Sequence, residues 1–115
     1  MDIEMLRHYC LSFENVSEAF PFGNDTLVFK VSGKIFLLAG LDNTPLQFNV
    51  KCDPEKAIEY REQYESVLPG YHMNKKHWNT VILDGSIPPQ FVQQMILDSY
   101  DLVYASLPKS KRKSE

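Results

Sequence analysis

The chain has only two cysteines in its 115 residues, Cys10 and Cys52, far apart and in no CxxC arrangement. That is too sparse for the disulfide framework that small secreted domains use. Both read as reduced thiols, with Cys10 packed on a helix. Long apolar runs are missing as well. The longest, residues 35–39, falls far short of the roughly 20 residues a membrane-crossing helix requires. The first residues carry Asp2 and Glu4 where a signal peptide would be basic. Together these absences point to a cytoplasmic protein with no membrane partner.

Catalytic motifs are also lacking. There is no P-loop, GxGxxG, GxSxG or HExxH. His72 and His77 stand five residues apart without a cysteine or acid beside them, short of the three or four ligands a zinc site requires. Cys52 precedes Asp53 and Pro54 at a helix start, where a thiolate is favoured, but nothing in the spacing brings His72 or His77 to it. The expectation is a non-enzymatic protein with no cofactor and no metal.

Basic residues are few in the body of the chain. Residues 1–108 hold eight Lys and Arg against fourteen Asp and Glu, a balance of −6. Residues 109–115 hold four bases and one acid, a balance of +3. An acidic body with a short basic tail is not the broad basic footprint of a typical nucleic-acid binder.

What is present is enough apolar material, 43% of residues, for one core. One domain over 1–108 is expected, with a basic, disordered tail over 109–115. Ile3, Leu6, Tyr9 and Cys10 fall at helical spacing behind a cap at Asp2, and the helix ends near Leu11. Residues 12–20 read as a connection. Residues 27–31 and 34–39 then form a hairpin closed by Ser32-Gly33, which sets Val31 opposite Lys34, Phe29 opposite Phe36 and Leu27 opposite Leu38. Residues 46–51 alternate, with Leu46, Phe48 and Val50 facing one way and Gln47, Asn49 and Lys51 the other.

Asp53-Pro54-Glu55 opens a second helix that runs to about Tyr64 and buries Ala57, Ile58 and Tyr64. A short strand is expected near residues 71–73, and a longer one over 78–83. Ser86, with Pro88 and Pro89 just inside, opens the last helix, whose stripe is Phe91, Val92, Met95, Ile96, Ser99, Leu102, Val103 and Ser106. The fold class is therefore α+β, a two-layer sandwich in the order α-β-β-β-α-β-β-α, with helices on one face of an antiparallel sheet.

Several local motifs stand in a fixed order along this frame: Pro21-Phe22-Gly23; Phe29-Lys30-Val31-Ser32-Gly33-Lys34-Ile35-Phe36; Lys51-Cys52-Asp53-Pro54; Pro69-Gly70-Tyr71-His72-Met73-Asn74-Lys75-Lys76-His77-Trp78-Asn79; and Ser99-Tyr100-Asp101-Leu102-Val103. In these the chain resembles the MmcQ/YjbR family. The resemblance implies a sandwich like that of CyaY and the secretion chaperones. It also implies DNA binding, a label drawn from two projecting hairpins likened to wings.

The expected function is accordingly a binding module for DNA or another nucleic acid. The alternative is a protein-interaction adaptor, chaperone-like, that uses the sheet face or a helix groove. Candidate contacts are Lys75, Lys76, His77, Lys30, Lys51 and Asn49, since lysines meet phosphates and an exposed ring stacks on a base. The plainer reading packs Trp78 into the core and leaves the lysines solvated. A monomer is expected.

Overall fold

The computed structural model describes residues 1–70 and 73–111. Six strands, β1 (Val16–Ala19), β2 (Thr26–Val31), β3 (Lys34–Gly40), β4 (Gln47–Lys51), β5 (Val67–Pro69) and β6 (Trp78–Ile82), form one antiparallel sheet in the order β1-β2-β3-β4-β6-β5. Three helices, α1 (Ile3–Leu11), α2 (Pro54–Gln63) and α3 (Pro89–Ala105), accompany it. The fold is the α+β class expected from the sequence, with one strand more. Residues 16–19, read as a connection, form the edge strand β1 against β2. Four residues of mixed polarity carry too little alternation to signal a strand; pairing with β2 supplies what local pattern does not.

The helix starts follow local chemistry. Asp2 Oδ1 accepts from the Met5 amide at 2.8 Å, and Asp53 caps α2 through the Glu55 and Lys56 amides. α3 departs from expectation. It begins at Pro89 behind Pro88, with no side-chain cap. Ser86 instead turns its hydroxyl to Ser66 and donates its own amide N–H to Asp84 Oδ1.

The β2–β3 hairpin turns on Ser32 and Gly33, both at positive φ, as a two-residue turn requires. Val31 does face Lys34, but a bulge then shifts the register, so Phe29 faces Leu37 and Leu27 faces Ala39. The expected Phe29–Phe36 and Leu27–Leu38 pairs are thus off by one residue. The bulge turns both Phe36 and Leu37 away from water, and each is fully buried.

The core lies between the sheet and the helices, built on Leu6, Cys10, Phe29, Phe36, Phe48, Val50, Val81, Val92, Ile96 and Val103. Two expected stripes are narrower than read. Ile58 of α2 is exposed and only Ala57 of that helix is fully buried, while Phe91 and Leu102 of α3 face solvent. In β4, Phe48 and Val50 are buried and Gln47, Asn49 and Lys51 are half-buried, so the register holds; Leu46, just before the strand, is half-buried too.

The strand expected near 71–73 is instead β5 at Val67–Pro69; Met73 is a bend, and Tyr71 and His72 lie outside the described residues. The tail expected to be disordered starts as a 3₁₀ turn, Lys109–Lys111, and its remainder lies outside the described residues. Among the described residues no helix is long and apolar enough to cross a membrane.

Candidate functional site

One face of the sheet is roofed by helices. Among the described residues the other carries no helix, and alternation along each strand determines which side chains stand on it. The strand registers align them in three rows. At one end Lys30 pairs with Ile35 and Lys51 with Trp78, the β3 bulge interrupting the row between the two pairs; Val28, Leu38, Asn49, Thr80 and Leu68 form the next row, and Thr26, Gly40, Gln47 and Ile82 the third. The face is not simply wet: Val28 and Thr80 are buried on it. A groove of about 560 Å³ runs over the second and third rows, walled by Phe22 from the β1–β2 connection and Met73 from the β5–β6 connection. Thr80 donates its hydroxyl proton to Asn49 Oδ1 at 2.5 Å across the groove floor.

The structure brings together Lys30, Lys51 and Asn49, three of the expected contacts. Lys30 and Lys51 stand at the same end of the face but on β2 and β4 with β3 between, so their backbones are about 10 Å apart. Lys75 and Lys76 are exposed in the loop that leads into Trp78, at the Lys51 end of the face. His77 is half-buried, and its backbone is pinned: its carbonyl accepts from the Cys52 amide at 2.7 Å.

Trp78 is not a core residue. It pairs with Lys51 on the open face and is half-buried, with the Lys51 ammonium 5.8 Å from its ring centroid. β6 turns Asn79, not Trp78, inward.

Much of the run 69–79 is devoted to building this loop. Asn79 is buried and bonds both ways: its Nδ2 donates to the Ala57 carbonyl at 3.2 Å, and its Oδ1 accepts from Arg61 Nε at 2.7 Å. The same guanidinium donates to the carbonyls of Lys75 and Trp78. Arg61 therefore ties α2 to the loop that presents Lys75 and Lys76. Asn74 Oδ1 accepts from the Lys76 amide at 2.9 Å and closes the turn. A Cβ on Gly70 would lie 2.7 Å from Trp78 Cβ, so only glycine fits there.

Sequence reasoning missed Arg61, whose role depends on a contact across the fold, and Phe22, whose exposure no local pattern encodes. Thr80 was within reach, because alternation from Trp78 places it on the same face.

The cysteines are unsuited to nucleophilic work. Burial, with Asp98 and Asp53 adding to it, pushes the Cys52 thiol up to about 11, and burial alone pushes Cys10 up to about 12. The helix-start position that would favour a Cys52 thiolate is outweighed by its surroundings. Among the described residues no three His, Cys, Asp or Glu side chains converge to hold a metal ion, and His72 lies outside them.

An antiparallel sheet with helices on one side and a grooved, lysine-bearing face on the other defines a small open-faced α+β sandwich. The chain belongs to the YjbR family, whose model matches residues 11–102. It is 39% identical to the uncharacterized protein YbdF of Escherichia coli O157:H7 over 96% of this chain and 90% of that one. It is 32% identical to YjbR of Escherichia coli K12, over 98% and 96% of the two chains. The crystal structure of Deinococcus radiodurans DR2400 superposes with a TM-score of 0.90 at 37% identity, covering 95% of this chain and 83% of that one. A Pseudomonas syringae protein superposes at 0.75 with 26% identity, over 89% and 98%.

Proposed function

We propose that the chain is a non-enzymatic binding module whose open sheet face takes the phosphate backbone of a nucleic acid. One observation carries this reading: the strand positions of the open face bear lysines and no carboxylate. Among the described strands the sole acid is Glu18, which faces the helices and is held there by Arg7 at 2.6 Å. The helices carry six acids, Glu4, Glu55, Glu59, Glu62, Asp98 and Asp101, against three Lys and Arg residues, Arg7, Lys56 and Arg61. The strand positions of the open face carry Lys30 and Lys51 and no carboxylate, and Lys75 and Lys76 adjoin them. A net charge of −3 for the whole chain thus conceals a locally cationic face.

Labelled oligonucleotides, duplex and single-stranded, titrated across a salt series test this. Binding is expected to be weak, independent of sequence in its phosphate part, and steeply salt-dependent. Replacing Lys75 and Lys76 by alanine, or Lys30 and Lys51, should flatten the slope of log K against log salt by about two units per pair if both lysines meet phosphate. No binding at low salt by the full chain, or binding undiminished when all four lysines are replaced, overturns the reading. A protein-interaction adaptor is the second reading, favoured by Phe20 and Phe22, which are 49% and 63% exposed on one connection.

A further inference from the structure

We infer that the groove on the open face is a nucleobase pocket, one that takes an unstacked base bearing a carbonyl oxygen and sets its phosphate toward Lys51; as a site on a strand of nucleic acid, it rests on the reading above. The groove, at about 560 Å³, has the size of a small-molecule site. Its wall offers Phe22, 63% exposed, as a stacking ring, with the thioether of Met73 opposite. Leu38 gives the floor an apolar patch.

The polar groups of the floor converge in a way a base edge can use. Thr80 donates to Asn49 Oδ1, which leaves the Asn49 NH₂ group as a hydrogen-bond donor in the groove that Asn49 lines. The Gln47 side-chain amide beside it forms no hydrogen bond among the described residues and supplies one donor face and one acceptor face. Donor beside donor-or-acceptor matches a carbonyl next to a ring N–H or exocyclic amine. Among the described residues no lining residue is acidic.

The charge is also rightly placed. Lys51 stands two residues along β4 from Asn49 on the same face, about 7 Å at the backbone, a spacing that lets one nucleotide span from floor to ammonium. The base can come from a free nucleotide or from a single strand, and the two sources are separable.

The test is a chemical-shift titration of the full chain with uridine and adenosine monophosphates, ribose 5-phosphate, and single-stranded oligonucleotides with and without an abasic stretch. Uridine monophosphate is expected to shift the Gln47, Asn49 and Thr80 amides, ribose 5-phosphate is not, and abasic oligonucleotides should bind more weakly than intact ones. Phe22→Ala, at a position 63% exposed, should weaken base-dependent binding about ten-fold. Asn49→Asp should weaken it further by replacing the donor with an acceptor. Free nucleotides binding while oligonucleotides do not would keep the pocket and remove the nucleic-acid reading. Oligonucleotides binding equally well with and without bases, with no response to nucleotides, would overturn the pocket and leave that reading standing. Adenosine binding as tightly as uridine would overturn the carbonyl assignment, and no binding of any probe would overturn both.

Discussion

The hydroxyl of Ser99, buried in the middle of α3, donates to the carbonyl of Phe36 at 2.8 Å. Phe36 is the residue that the β2–β3 bulge leaves without a ladder partner. An unpaired carbonyl inside the core would be costly, and Ser99 satisfies it from the helix layer. The neighbouring Tyr100 packs edge-on against the Phe36 ring, with centroids 5.7 Å apart, so the bulge is held by two adjacent residues of α3.

Ser99→Ala should therefore destabilise the fold by about 1–3 kcal/mol, the cost of a buried acceptor left unpaired. Denaturant midpoints measure this. Stability equal to that of the parent would mean that the Phe36 carbonyl finds another donor.

Gly70→Ala should cost about 1–3 kcal/mol through overpacking, because its Cβ would meet the Cβ and carbonyl of Trp78 at 2.7 and 2.9 Å. The damage should be local, read as faster amide exchange over residues 74–78 before global unfolding. Uniform loss of protection would place the strain elsewhere.

Trp78→Ala should cost less than the roughly 3–5 kcal/mol expected for a core tryptophan, because the ring stands half-buried on the open face. A double-mutant cycle with Lys51→Met should give a coupling of about 0.5–1 kcal/mol, the size of an exposed cation–π contact. A full core-sized loss would return Trp78 to the interior.

Cys52 and Cys10 should resist iodoacetamide at pH 8 in the native protein and react fully in denaturant. Both thiols are buried, with proton affinities pushed up to about 11 and about 12. Rapid native labelling of Cys52 would reopen the nucleophile reading.

The pair between Arg7 and Glu18 ties α1 to β1 and should make the fold acid-sensitive. The hydrogen bond from Arg7, with its charge, holds the Glu18 carboxyl below the usual glutamate range. A depressed folded-state value contributes stability above the ordinary glutamate pKa, and that stability is lost as pH falls through the depressed value. Glu18→Gln should flatten the acid limb of the stability curve, and the two proteins should converge once the pH is low enough to protonate the Glu18 carboxylate in the fold. Parallel curves throughout would show that the pair adds nothing.

The sequence by itself determined the fold class, the helix starts at Asp2 and Asp53, the Ser32-Gly33 turn and the facing of β4. Each depends on residues within a few positions of one another: a capping carboxylate, a turn pair, an alternation of period two. It also placed Lys30, Lys51 and Asn49 together, since a strand's period carries a residue's face with it.

Only the tertiary structure decided the rest. β1 exists because β2 pairs with it, and the register shift at Phe36 is made possible by a hydroxyl 63 residues away on α3. Trp78 lies on the open face and Asn79 inside because Arg61 and Ala57 of α2 bind Asn79 from the helix layer. The groove between Phe22 and Met73 comes from packing distant connections over one sheet. No local pattern carries that information, because each contact joins residues whose separation along the chain is set by the fold alone.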